Sequence, residues 1–179
     1  MKIVALAYNY KGYNHAPIAF LKAGLIPGGN AIVVPRGKVW AEAELGFIVS
    51  ESLGVGAYLI ANDVTYETKG QDCHLAQSKC RDTFCPIKAI WTPQKPNEVI
   101  LRTRINREIV QEGNTKDRTL NDKESLRYIT QFMTLAAGDI VLTGTPPHKG
   151  KTRIKDGDIV TVEAVGLGSV TNVVRNLGS

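Results

Sequence analysis

The sequence predicts a mostly-β chain with one or two helices, an α+β fold, on three observations. Short apolar stretches recur along its length, punctuated by 17 glycines and 8 prolines. One stretch, 99–106, alternates apolar and polar residues with the period of a strand. Helical spacing behind a capping signal stands out in one place, from Asn121 to Leu135.

The elements follow in order. Residues 2–8 open as a β-rich run, and Pro27-Gly28-Gly29-Asn30 turns the chain into a short buried run over 31–35. Residues 40–50 read as a strand and 57–60 as another, while 69–78 carries a shorter helix. In 99–106, Val99, Leu101, Thr103 and Ile105 share one face and Arg102 and Arg104 the other. Asn106-Arg107 is a hairpin turn into Glu108-Ile109-Val110. Asn121 caps a helix with Glu124 three residues on, and Leu126, Ile129 and Met133 line its inner face as far as Leu135. Gly138-Asp139 then leads into a strand at 140–142, and 159–165 pairs with 169–174 around Gly166-Leu167-Gly168.

The chain has 179 residues, 43% apolar and 22% charged, which suits one domain over 1–179 with its own core. No apolar run approaches the ~20 residues of a membrane span, and the opening run is too short for a signal segment. The reading is therefore cytoplasmic, with no membrane partner. A net charge of +5 admits nucleic acid, anionic lipid or a small anionic substrate as partner. The charges are scattered without a run of five like signs, which leaves nucleic acid unsupported. Cys73, Cys80 and Cys85 match no zinc spacing, and His15, His74 and His148 lie far apart, so reduced thiols are expected rather than a His/Cys zinc centre.

The first chemical oddity is Glu42-Ala43-Glu44. Residues two apart on a strand share a face about 7 Å apart, and Leu45, Phe47 and Val49 take the other face as core. Two neighbouring carboxylates repel. A solvated edge strand is one reading; a hard divalent cation using both as oxygen ligands is the other. Asp63, at the end of the apolar run 57–62, is a turn residue or a third ligand.

Beyond these acids the ordered series is Lys79-Cys80-Arg81-Asp82, then Gln111-Glu112-Gly113-Asn114-Thr115, then Gly138-Asp139 and Thr143-Gly144-Thr145-Pro146. With Glu42-Ala43-Glu44 and Asn62-Asp63, it resembles the fumarylacetoacetate hydrolase family, including its acylpyruvate hydrolase, oxaloacetate decarboxylase and hydroxyhepta-dienedioate isomerase members. The resemblance covers nearly the whole chain. It implies a mixed β-roll catalytic domain, a homodimer, and Mg²⁺ (or Mn²⁺ or Ca²⁺) on Glu42, Glu44 and Asp63. The substrate it implies is a small 2-oxo or β-diketo (di)carboxylic acid, whose carbonyl the ion would polarise. Lys79 and Thr145 take the catalytic positions. Lys22, Tyr10, Gln71 and Thr145 fall on or near substrate-facing ones. Arg81, just after Lys79, stands where the family usually has an apolar residue and is a candidate to face the substrate.

The chain also departs from the family. The lid segment near 11–20 is shortened, and the family's His and Glu on that lid fall on Tyr13 and Ala16. Glu67 stands where many members place an Arg, and Arg81 is a substitute for that charge. Isomerisation or decarboxylation suffers less from these departures than water-dependent C–C hydrolysis, which is the alternative. A non-catalytic protein that binds a metal and an oxo acid is the alternative of another class.

Overall fold

The computed structural model describes residues 1–68, 75–90, 96 and 98–178. Its strands are β1 (Ile3–Ala7), β2 (Ile18–Lys22), β3 (Leu25–Pro27), β4 (Ile32–Val34), β5 (Val39–Trp40), β6 (Ala43–Val49), β7 (Val55–Asn62) and β8 (Thr65–Tyr66). A short helix α1 (Leu75–Lys79) precedes β9 (Cys85–Ile90), β10 (Ile100–Ile105) and β11 (Glu108–Asn114). Helix α2 (Asp122–Ile129) is followed by β12 (Ile140–Leu142), β13 (Arg153–Ile154), β14 (Ile159–Ala164) and β15 (Gly168–Asn176). The chain is mostly β, as its punctuation predicts.

Three sheets form. A seven-stranded sheet runs β2-β1-β12-β6-β7-β9-β3, a five-stranded one β11-β10-β14-β15-β4, and a small one β13-β5-β8. The sheets are mixed: β1 with β12, β3 with β9 and β15 with β4 are parallel, and the other pairs are antiparallel. The principal core lies between the two large sheets. Val4, Leu6, Leu45, Phe47 and Ile60 meet Leu101, Val162, Ala164 and Val170 there, and α2 adds Ile129. The opposite face of the seven-stranded sheet is apolar too, through Ile3, Ala5, Leu59, Ala61 and Leu142. Strands β1 and β6 are thus near-continuous apolar runs, because both of their faces are covered.

The acidic strand is therefore not an edge. β6 lies between β12 and β7, which overturns the solvated-edge reading of Glu42 and Glu44. The strand predicted over 40–50 is divided: β5 ends at Trp40 and β6 begins at Ala43, each in a different sheet. Gly46 permits this crowding. A Cβ there would stand 2.7 Å from Leu142 and 2.8 Å from Leu59 side-chain atoms.

The Asn106-Arg107 turn has φ of 50° and 76°, the left-handed pair expected of a tight hairpin. The Asn121–Glu124 capping box is present on α2. That helix stops at Ile129 rather than near Leu135. Thr130 bonds its hydroxyl back to the Leu126 carbonyl at 2.9 Å, and a turn follows that leaves Phe132 exposed. Of the second predicted helix, residues 69–74 lie outside the described residues, and α1 occupies the remainder.

Candidate functional site

The fold gathers its acids where β6 begins and β7 ends. Asp63 N–H donates to the Glu42 carbonyl at 2.9 Å, and Glu42 N–H to the Asn62 side chain at 3.0 Å, so Glu42 and Asp63 are tied through their backbones. Glu42, Glu44 and Asp63 line one cavity of about 280 Å³ with Thr65, Lys79, Thr145 and His148. Leu6, Ile18 and Leu75 give it an apolar side, and Tyr8 and Tyr13 also line it. A larger hollow of about 710 Å³ opens elsewhere. Two of its acids are engaged locally: Asp158 accepts from Asn106 and from the Lys155 backbone, and Asp156 from the Asn176 backbone.

Lys79, the last residue of α1, reaches into the acids. Its ammonium meets Asp63 Oδ2 at 2.5 Å, Glu42 Oε2 at 3.0 Å and Thr65 Oγ1 at 2.5 Å, one acceptor for each N–H. Burial works against that charge, but Asp63 and Glu42 outweigh it and push the Lys79 pKa above the ordinary lysine value. Burial likewise opposes the Glu42 carboxylate, and Lys79 and His148 more than offset it, so its pKa lies below the usual range. Glu44 goes the other way. It is buried, and burial together with the charges of Asp63 and Glu42 raises its pKa well above normal, against the pull of Lys79 and the Gly144 N–H.

The loop after β12 supplies the opposite wall. Gly144 N–H donates to Glu44 Oε2 at 2.9 Å. Gly144 has a φ of +91°, and a Cβ there would stand 3.0 Å from Asn9 and from the Leu6 carbonyl, so glycine is required for that approach. Thr145 Oγ1 donates to the Ala43 carbonyl at 2.9 Å and accepts from Gln111 Nε2 at 2.8 Å. The Tyr13 hydroxyl donates to the Thr145 carbonyl at 3.4 Å. Burial, then the charges of Glu42 and Glu44, raise the Tyr13 pKa and keep the hydroxyl protonated.

The other predicted residues are placed elsewhere. Lys22 is fully buried behind Asp63, with its ammonium 2.6 Å from Asp63 Oδ1 and donating to the carbonyls of Val64 and Lys79. It reaches the cavity only through Asp63. Arg81 donates to the Gln77 carbonyl at 2.6 Å and stacks 4.4 Å over the Tyr66 ring, on a separate hollow with Cys80 and Asp82. Tyr10 is buried in the principal core. Gln71 lies outside the described residues. Spacing did not single out His148, whose Nε2 lies 2.8 Å from Glu42 Oε1. Its place three residues after Thr145, in the same glycine-bearing loop, was the available signal.

The donor chemistry suits a hard cation, because three carboxylates face one cavity. Glu44 sharpens the point: its buried carboxyl has the Gly144 N–H and no ion-pair partner among the described residues. Glu42 and Asp63 instead turn to Lys79, and among the described residues no three His, Cys, Asp or Glu side chains close into a preformed ligand set. The residues fit such an ion in kind, with the Lys79 ammonium supplying the cation for two of the three.

Residues 7–175 match the family described as fumarylacetoacetate (FAA) hydrolase C-terminal. The chain belongs to the fumarylacetoacetate hydrolase family. It is 29% identical to the 2,4-didehydro-3-deoxy-L-rhamnonate hydrolase of Sphingomonas sp. (strain SKA58), over 99% of this chain and 75% of that protein. It is 30% identical to a mitochondrial oxaloacetate tautomerase of Bos taurus, over 97% of this chain and 66% of that one. The crystal structure of 5-carboxymethyl-2-hydroxymuconate delta-isomerase from Mycobacterium smegmatis superposes with a TM-score of 0.88 at 28% identity, covering 99% of this chain and 80% of that one. The fumarylacetoacetate hydrolase family is thus one of enzymes, and its fold is the one seen here.

Proposed function

We propose that the chain is a divalent-cation-dependent enzyme that interconverts the enol and keto forms of a small 2-oxo acid, or decarboxylates it. The observation that carries this reading is the gathering of Glu42, Glu44 and Asp63 around one ammonium, Lys79, on the wall of a single cavity. Glu42, Glu44 and Asp63 would hold the cation, which when bound lowers the energy of the enolate that such reactions share. The relatives named as a tautomerase and an isomerase support the same class of chemistry.

The chain's own residues then divide the work. Lys79, held at the cavity by Glu42, Asp63 and Thr65, would orient an anionic substrate oxygen or assist proton transfer. Thr145 is held with its hydroxyl between Ala43 and Gln111, which fixes the loop backbone beside the substrate. Tyr13 presents a protonated hydroxyl at the cavity, where segment 11–17 brings no carboxylate or imidazole to the lining. Leu6, Ile18 and Leu75 would pack against the carbon skeleton and keep water from the acids.

The test is a panel of oxaloacetate, an acylpyruvate and 5-carboxymethyl-2-hydroxymuconate, assayed with Mg²⁺ and with chelator. Enol–keto conversion or loss of CO₂ that disappears with chelator is the expected result. Turnover unchanged by chelator removes the cation from the reading. Cleavage of the acylpyruvate alone replaces it with C–C hydrolysis. Tight oxalate binding with no turnover leaves a binding protein.

A further inference from the structure

His148 lines the cavity and is contacted by Gly150, Thr152 and Trp40. Gly150 N–H lies 3.1 Å from its Nδ1, and Thr152 Oγ1 lies 3.2 Å from the same nitrogen. The Trp40 ring sits 6.5 Å away between centroids. With Nδ1 accepting the Gly150 N–H, the ring proton belongs on Nε2, which donates to Glu42 Oε1 at 2.8 Å. The clamp and its target share a frame. Trp40 is two residues before Glu42, and Ala41 N–H donates to the Thr152 carbonyl at 2.9 Å.

Glu42 is pinned at both oxygens as a result. Oε1 takes His148, and Oε2 takes Lys79 and the Thr65 hydroxyl. Lys79 and Thr65 are also bonded to one another, so that side of the carboxylate is a local cluster. His148 is the donor that arrives from a different loop.

We propose that His148 is a positioning residue: its Nε2–H fixes the orientation of Glu42 and so sets how that carboxylate is presented to a bound cation. This rests on the reading of Glu42, Glu44 and Asp63 as cation ligands. A glutamate has three side-chain torsions, and a fixed donor on one oxygen removes much of that freedom before binding. Partners that orient a ligand in this way typically contribute about 10–100-fold to metal affinity.

The experiment uses the full chain with His148→Ala and His148→Gln, the latter retaining an amide N–H donor at similar reach. Mn²⁺ affinity is read from the free-ion electron paramagnetic resonance signal, and thermal melting reports the fold. His148→Ala is expected to weaken Mn²⁺ binding by about tenfold or more with melting shifted by no more than a few degrees, and His148→Gln to recover to within about threefold of wild type. Wild-type affinity in His148→Ala overturns the role, as does a folded His148→Gln as weak as the alanine variant. Should His148→Ala fail to melt cooperatively, His148→Gln decides: an affinity within about threefold of wild type sustains the role, and a loss of about tenfold or more overturns it. A wild-type chain that binds no Mn²⁺ removes the cation reading and this role together. Mn²⁺ binding that ignores His148 removes this role alone.

Discussion

Asp63 is buried between two ammonium groups, with one oxygen 2.6 Å from Lys22 and the other 2.5 Å from Lys79. The two lysines have different tasks because they differ in what else they touch. Lys22 ends on backbone carbonyls and holds Asp63 from behind; Lys79 shares the cavity with Glu42 and Thr65. Replacing Lys22 with Met leaves a buried carboxylate short of its rear partner. Losing one member of a buried pair typically costs about 3–5 kcal/mol. In a chain of this size that is a fall in Tm on the order of 10 °C, measurable by calorimetry. Glu44→Gln separates stability from activity. The Glu44 carboxyl resists ionisation because of burial and the nearby Asp63 and Glu42, and an amide oxygen can still accept from Gly144. The variant is expected to melt at or above the wild-type temperature while turnover falls by about 100-fold or more, on the order of 3 kcal/mol of lost transition-state stabilisation. A Tm fall of many degrees, or preserved turnover, would contradict that assignment. The spacing left Glu42 and Glu44 open between an edge strand and a cation pair and Asp63 between a turn and a ligand, and the family pattern grouped the three. His148 was not, since its relation to Glu42 spans 106 residues and arises only when the loop after β12 folds over β5.

At the scale of elements, what the sequence made legible is what local chemistry encodes. The hairpin at Asn106-Arg107 needs two residues in the left-handed region, and the return at Gly166-Leu167-Gly168 joins two alternating runs. The start of α2 is encoded by side chains that reach the first turn: Asn121 accepts from Lys123 and Glu124 N–H, and Glu124 reaches back to Asn121 N–H at 2.8 Å. Its end was not legible. Met133 continues the helical spacing, yet its N–H bonds to Ile129 through a turn rather than a helix, so an apolar residue keeps its contact while the backbone departs. Asn121→Ala removes the side-chain acceptor of the capping box, leaves the backbone N–H that bonds Glu124, and is expected to cost about 1 kcal/mol. That is a Tm fall of about 2–4 °C with activity retained, because α2 contributes Ile129 to the core and no side chain to the cavity lining. A fall several times larger would mean that the cap also holds the Arg118–Asp122–Tyr58 network beside it.

Across the whole molecule, the parallel pairings are what no local pattern announces. β1 lies against β12, and Asp139 binds Lys2 across 137 residues of chain. Asp139 is the clasp of that closure. Its Oδ1 accepts Lys2 N–H at 2.7 Å, its Oδ2 accepts Ala136 N–H at 2.9 Å, and Lys2 Nζ stands 2.8 Å from Oδ2. Burial opposes its charge, but the bonds from Lys2 and Ala136 outweigh that and hold the pKa down to about 2. A carboxyl whose pKa is lower in the folded chain than in the unfolded one adds stability above its unfolded pKa, and loses it as pH falls toward the folded value. The contribution is therefore complete at neutral pH and fades between about pH 4 and pH 2. The Lys2 side chain is 39% exposed, so its ion pair adds little, and the two backbone donors carry most of the effect. Asp139→Asn keeps an acceptor for one of those donors and loses the charge. It is expected to melt roughly 2–10 °C lower at pH 7, from a loss of about 1–3 kcal/mol. The gap between the variant and wild type should narrow as melts are repeated toward pH 2. A gap that is constant with pH would mean that the loss is one of shape rather than charge, and no gap at neutral pH would mean that the β1–β12 pairing closes the fold without the clasp.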